Sequence, residues 1–168
     1  MKLTSFAIAA AALLTVGCGS GAINPTATNA SPAVSPVPTQ TETVAQASGK
    51  VLKSGTFKSG EHRTEGTAKI VNENGKYYLE LADNFVTFDM GPDLQVLLHR
   101  SADVIGSTQA PAHALKEDGG YVNLGKLQQF KGKQRYAIPA SVNLDDYASA
   151  VIWCRKFNAT FGAATLGS

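Results

Sequence analysis

Cysteine and charge are both scarce in this chain of 168 residues, which contains 2 Cys and 17 % charged residues. Two cysteines are too few for a disulfide-rich scaffold. The 15 basic and 13 acidic residues leave a net charge of +2, and so small an excess argues against a nucleic-acid-binding protein. Because hydrophobic residues still make up 43 % of the chain, the composition favours a folded domain over a disordered chain.

No apolar run in the sequence is long enough to span a membrane as a helix. Residues 3–16 form an uncharged run rich in Ala and Leu. Its about 14 residues fall short of the roughly 20 that a bilayer requires. With Lys2 in front of it, the run has the length of the apolar part of a secretory signal. We therefore predict an exported protein.

Gly17-Cys18, directly after this run, resembles a bacterial lipobox, in which the cysteine becomes the lipidated first residue of the mature protein. Thr15 stands where Leu is usual, and Leu14 lies one place earlier. We predict a lipoprotein signal peptide over residues 1–17 and lipidation, including palmitate, at Cys18. Cleavage elsewhere, to give a simple secreted protein, is the alternative. Because Gly19 and not Asp follows the cysteine, we expect a lipid-anchored protein of the bacterial cell envelope, at the outer membrane or facing the periplasm.

Residues 18–49 are dominated by Ser, Thr, Ala, Pro and Asn, with Glu42 as the one charged residue. Four of the seven prolines fall in this segment. Such a composition buries too little apolar surface to offset the entropy of ordering. The segment is therefore predicted to be a tether between the lipid at Cys18 and a domain formed by residues 50–168.

The domain over residues 50–168 has the pattern of an all-β fold. Apolar residues recur with a period near two in short runs, and turn residues separate the runs about every ten positions. Asn74-Gly75 lies between two such runs, which is a strong signal for a hairpin. Only residues 144–147 suggest a helical turn. We predict a single β-sandwich or small barrel-like domain.

Cys154 is the most informative candidate for chemistry. If Cys18 carries a lipid, Cys154 is a lone cysteine in an exported protein, where the surroundings are normally oxidising. A strand over residues 151–157 places Lys156 on the face of Cys154 and Arg155 on the other face. A nearby cation stabilises a thiolate and makes the sulfur a better nucleophile or ligand. The alternative is a small buried side chain with an inert thiol.

The three histidines are His62, His99 and His113, and no two of them have the close spacing of a metal site. His62 is expected at a bend between strands, and the other two are expected to be incidental. A site that combines cysteine and histidine would need residues distant in sequence to converge, so the metal and the cofactor are left unknown. No nucleophile–base pair, P-loop or dinucleotide motif is evident, so a stand-alone enzyme is not expected.

The stretch from about residue 51 to 166 resembles the DM-thirteen domain, also called the electron-transfer DM domain, which occurs in bacterial lipoproteins. The matching pieces, in order, are Gly55-x-Phe57, His62-x-x-x-Gly66, Gly91-Pro92-Asp93-Leu94, Leu124-Gly125-x-Leu127, Gln134-x-Tyr136-x-Ile138-Pro139, Val151-Ile152-Trp153-Cys154-x-x-Phe157 and Phe161-Gly162-x-Ala164. Each piece is weak alone, but together they are fairly specific.

This resemblance implies a β-sandwich-like domain and a redox role for the cysteine that matches Cys154, as a free thiol or as a cofactor ligand. We take Cys154 and His62 as candidate redox or cofactor residues. The predicted partners are a redox protein and the membrane, and no nucleic-acid partner is expected. The alternative function is a non-enzymatic binding or interaction domain of the envelope, in which Cys154 is core packing.

The lipid anchor can be tested with Cys18→Ala in the full chain. Because the substitution removes the atom that would carry the lipid, we expect release from the membrane fraction or a block in signal processing. Fractionation and the mass of the mature chain measure both effects, and Cys154→Ala serves as a control that keeps the anchor. Membrane partitioning of Cys18→Ala at the normal mature mass would contradict the lipoprotein prediction.

Overall fold

A computed structural model of the chain describes residues 49–116, 118 and 120–168, and antiparallel strands dominate their regular structure. The strands are β1 (Lys50–Ser59), β2 (Thr64–Glu65), β3 (Thr67–Glu73), β4 (Lys76–Leu81), β5 (Val86–Thr87), β6 (Leu94–His99), β7 (Tyr121–Lys126), β8 (Gln134–Ile138), β9 (Ser149–Cys154) and β10 (Ala159–Thr165). Two 3₁₀ turns, Leu144–Asp146 and Arg155–Phe157, precede and follow β9. Within the described residues, no helix has the length and apolar character to cross a membrane.

The hairpin predicted from Asn74-Gly75 joins β3 to β4. Asn74 has φ 52° and Gly75 has φ 78°, which is the left-handed backbone that a tight two-residue turn requires. The side-chain oxygen of Asn72 accepts a hydrogen bond from the backbone N–H of Gly75 at 3.0 Å. Because Glu73 pairs with Lys76, the turn sets the register of both strands, and the prediction is confirmed.

Eight strands form one antiparallel sheet in the order β7-β6-β9-β10-β1-β3-β4-β8, while β2 and β5 pair separately. The outermost strands β7 and β8 approach each other, so the sheet curls into a nearly closed barrel. Gln128, just beyond β7, donates from its backbone N–H to the Tyr136 hydroxyl of β8 at 3.0 Å. The all-β prediction is confirmed, and of the two expected architectures the barrel-like one is found.

The interior of the barrel is filled by side chains that alternate along the strands. In β8, Gln134, Tyr136 and Ile138 are buried while Arg135 and Ala137 are exposed. Fully burying a large apolar side chain contributes about 1.5–3 kcal/mol. The largest apolar side chains of this interior include Phe57, Ile70, Leu79, Leu81, Phe85, Val96, Leu98, Ile152 and Phe161.

A second apolar cluster covers the outside of the sheet and buries β9 on both faces. The chain between β6 and β7 folds back over the sheet and packs Val104 and Leu115 with Val151 and Trp153. A continuous apolar run, such as the one in β9, is typical of a strand buried on both faces. β9 is therefore the most enclosed strand of the domain.

Gly55 of β1 offers a test of this packing. A Cβ atom at Gly55 would lie 1.9 Å from the backbone oxygen of Thr165 in β10, so Gly55→Ala forces the two strands apart. We expect its free energy of unfolding to fall by about 3 kcal/mol in chemical denaturation. Gly167→Ala is the matched control, because a Cβ at Gly167 meets no atom within 4 Å. Equal stability of the two variants would contradict the close approach of β1 and β10.

Candidate functional site

Cys154 is the last residue of β9, where it pairs with Leu94 of β6 and Ala159 of β10. Its side chain is free, 0 % exposed and part of the interior apolar cluster. Six strands begin or end at this end of the barrel: β1, β4 and β9 end here, and β6, β8 and β10 begin here. We call this end the mouth and define it as residues 60–66, 85–93, 126–133 and 155–158.

The predicted strand over residues 151–157 is shorter in the structure. β9 ends at Cys154, and Arg155–Phe157 form a 3₁₀ turn whose residues are all exposed. The turn ends at Asn158, which has φ 45° and ψ 50° and leads directly into β10. Because the strand alternation stops at Cys154, Lys156 does not continue the face of Cys154. The expected cationic surroundings of the sulfur are therefore corrected to apolar surroundings.

Asn158 holds this turn in place through its side chain. Its Oδ1 accepts hydrogen bonds from Trp153 Nε1 at 2.9 Å and from the backbone N–H of Leu115 at 3.0 Å. Its Nδ2 donates to the backbone oxygen of Leu115 at 2.9 Å. One amide thus connects the end of β9 to the loop that covers the outside of the sheet.

Arg155 ties the same turn to the segment before β6. Its Nε donates to Asp93 Oδ2 at 2.8 Å, and its backbone N–H donates to the Asp93 carbonyl at 3.0 Å. The hydrogen bond from Arg155 is the largest cause of a lowered pKa of the Asp93 carboxyl. Because the folded pKa is the lower one, this stabilisation is present above the ordinary aspartate pKa and is lost as pH falls towards the folded value. The pair therefore persists at neutral pH, directly beside Cys154.

His62 lies at the mouth, in the bend between β1 and β2, as expected from the sequence. Its half-buried ring stacks on Phe88 at 4.3 Å between centroids and meets the edge of Phe161, also at 4.3 Å. Phe161 belongs to the same interior cluster as Cys154. The structure therefore brings both candidate residues to one end of the barrel, where His62 contacts Phe161 and Phe161 belongs to the cluster that contains Cys154.

His99 lies at the end of β6 that is opposite the mouth. His113 lies within the loop over the outside of the sheet, in a stretch that contacts the mouth through Ala112 and Leu115. His99 Nδ1 accepts a hydrogen bond from the Ser101 backbone N–H at 2.9 Å, and burial lowers the pKa of His99. His99 also borders a cleft of about 850 Å³ together with Lys116 and Asp118. This cleft was missed from the sequence, because no local motif shows that the loop after β6 folds back onto the sheet.

A metal held by several protein ligands does not fit the part of the chain that the structure describes. Those residues contain no group of three or more His, Cys, Asp or Glu side chains placed to hold a metal ion. Cys154 lies among apolar side chains instead. Cys18 falls outside the described residues, so its predicted lipidation stays a prediction. Of the predicted residues, Cys154 and His62 alone define a candidate site here.

The Arg155–Asp93 pair predicts how readily Cys154 is reached. In a chain that begins at Gly19, Cys154 is the one thiol, and a small thiol reagent must wait for local opening. Because a solvent-screened surface ion pair contributes little to stability, we expect Arg155→Gln to raise the labelling rate by no more than about fivefold. Arg63→Gln is the control, since it removes another exposed pair at the mouth, that with Glu65. Equal rates in both variants would show that Arg155 does not restrict access to the sulfur.

Comparison with known proteins identifies one family. The family model described as electron transfer DM13 matches residues 56–166. No curated protein and no solved structure matches the chain. The matched region covers well over half of the chain and runs from β1 to the residue after β10. The chain therefore belongs to the electron transfer DM13 family.

Proposed function

We propose that this protein is a lipid-anchored electron-transfer protein of the bacterial cell envelope, with Cys154 as its redox-active group. The family is associated with electron transfer, and it supports a redox role for this domain. We choose Cys154 because it is the free cysteine of the described domain and lies at the mouth of the barrel. The proposed anchor is the lipid at Cys18, and the proposed partner is another redox protein.

The burial of Cys154 restricts the kind of redox chemistry that we propose. In thiol–disulfide exchange, the sulfur of one cysteine attacks a disulfide directly, so the two must touch. The sulfur of Cys154 is 0 % exposed, so no disulfide of another molecule can touch it in the closed domain. Transfer of an electron through the protein does not require that contact. Oxidation of the Cys154 thiol by one electron would break its S–H bond and leave a thiyl radical. A redox protein that accepts one electron would take the electron, and water admitted at the mouth would take the proton. Opening of the Arg155–Asp93 pair would give water access to the sulfur.

A binding domain without redox activity is the second candidate, and the same burial favours it. Cys154 lies in the interior cluster with Leu94, Ile152 and Phe161, where a thiol packs as a small hydrophobic side chain. In that case the domain serves the envelope by binding a partner. Cys154 then contributes stability and no chemistry.

Two substitutions at Cys154 separate these functions. Cys154→Ala removes the sulfur and introduces no polar group, so the electron-transfer proposal expects loss of about one electron per chain in a mediated redox titration. Cys154→Ser places a hydroxyl in an apolar site, so both candidates expect a loss of roughly 1–3 kcal/mol in unfolding free energy. The chain from Gly19 to Ser168 is used for both, with its visible spectrum and metal content measured beforehand.

If the wild-type chain shows no redox couple, no visible absorption band and no bound metal, the electron-transfer proposal is wrong. A couple that persists unchanged in Cys154→Ala would leave a redox domain but remove Cys154 as its active group. Circular dichroism of each variant controls for loss of the β fold. Arg63→Gln serves as a folded reference in the titration, because its exposed side chain lies at the mouth without entering the interior.

A further inference from the structure

Exposed apolar side chains are concentrated at the mouth. The described residues expose five large hydrophobic side chains, and four of them are Phe88, Met90, Phe130 and Phe157. We call these four the mouth patch. The fifth is Val51, near the beginning of β1 at the opposite end of the barrel. A cluster of exposed aromatic and methionine side chains marks a surface that binds another protein or a membrane.

Lysine side chains surround the mouth patch. Lys126, Lys131, Lys133 and Lys156 are all exposed, and the ion pairs found among the described residues are made by arginines. The ammonium groups of these lysines are therefore available to an external anion.

The acidic groups of the mouth do not cancel this charge. Glu65 and Asp93 pair with the mouth arginines, and a carboxylate oxygen of Glu61 accepts a hydrogen bond from the Ala112 backbone N–H at 2.6 Å. Asp89 is the remaining carboxylate of the defined mouth, and the exposed Asp83 follows β4 at the same end of the barrel. The mouth as a whole thus has more cationic than anionic side chains and an apolar centre.

We propose that the mouth patch docks the domain on a membrane surface that contains anionic phospholipids, independently of any lipid at Cys18. Phenylalanine and methionine side chains insert at the boundary between headgroups and acyl chains. Lysine stems lie along that boundary while the ammonium groups bind headgroup phosphates. The apolar centre of the mouth is complementary to the acyl chains of such a surface, and the unpaired lysines are complementary to its anionic headgroups.

The apolar centre and the lysines favour a membrane as the occupant, and if Cys18 carries the proposed lipid, the length of the chain before the domain lets the mouth reach that membrane. The composition of residues 18–49 predicts a semi-flexible tether, and about 30 residues of such a chain span about 30 Å on average. A six-residue strand of the barrel, such as β6, is about 20 Å long. The anchored chain is therefore long enough for the mouth to reach the membrane that holds Cys18. Docking would place the Cys154 end of the barrel at the lipid surface whether or not Cys154 is redox active.

Vesicle sedimentation of the chain from Gly19 to Ser168 tests this proposal without a covalent lipid. We expect binding to vesicles that contain phosphatidylglycerol and much weaker binding to vesicles of phosphatidylcholine alone. Met90→Ser with Phe157→Ser removes two side chains that are 75 % and 61 % exposed, and it should weaken binding by about tenfold or more. Val51→Ser is the matched control, because it removes a side chain that is 50 % exposed at the opposite end, and it should bind as the wild type does.

The charge contribution is tested separately by Lys131→Gln with Lys133→Gln, which should weaken binding to the anionic vesicles by about tenfold. Lys50→Gln with Lys76→Gln at the other end of the barrel removes the same charge and should have little effect. Absence of binding to the phosphatidylglycerol vesicles would overturn the proposal and leave a protein surface as the partner of the mouth patch. Equal losses in the mouth variants and in their controls would overturn it as well.

Discussion

The placement of β9 between β6 and β10 is the constraint on which the rest of this domain depends. Its pairing with both neighbours sets the register from Ser149 to Cys154, and apolar side chains cover both of its faces. One face completes the barrel interior and the other completes the cluster under the loop after β6. A strand enclosed in this way has little freedom to shift, because a slip of one residue would exchange its two buried faces.

The end of β9 also organises the mouth. Cys154 is the last residue in the ladder, and within four residues the chain turns back into β10. Arg155 and Asn158 fix this turn from two sides, through Asp93 and through Leu115 with Trp153. The single cysteine of the described domain is buried in the interior cluster beside this turn, next to loops that carry exposed apolar and basic side chains.

Sealing the sulfur has a chemical consequence in an oxidising compartment. Oxidation of cysteine to sulfenic and higher acids requires the oxidant to reach the sulfur, and Cys154 is 0 % exposed in the closed domain. A protected thiol is compatible with the electron-transfer proposal and with the packing alternative. The two functions differ in whether an electron passes between the sulfur and a partner. That transfer depends on the redox partner as well as on this chain.

Much of the architecture follows from sequence patterns that act locally. The alternation of apolar residues predicted the all-β fold, and Asn74-Gly75 predicted a hairpin because few residue pairs adopt its backbone angles so readily. The ordered set of motifs, which includes Trp153-Cys154, indicated the family that the comparison then identified. In each case the signal lies within a few neighbouring residues, or within a series of such short pieces.

The surroundings of Cys154 were decided by contacts between residues distant in sequence. Alternation alone extended β9 to Phe157 and placed Lys156 beside the sulfur, whereas Asn158 ends the turn and Asp93 binds Arg155. The contact of His62 with Phe161, and the gathering of Phe88, Met90, Phe130 and Phe157 at one end, likewise require the barrel to close. Local sequence determined which segments become strands. Tertiary structure alone decided what surrounds the thiol, because burial and charge at a site depend on which loops the closed sheet brings together.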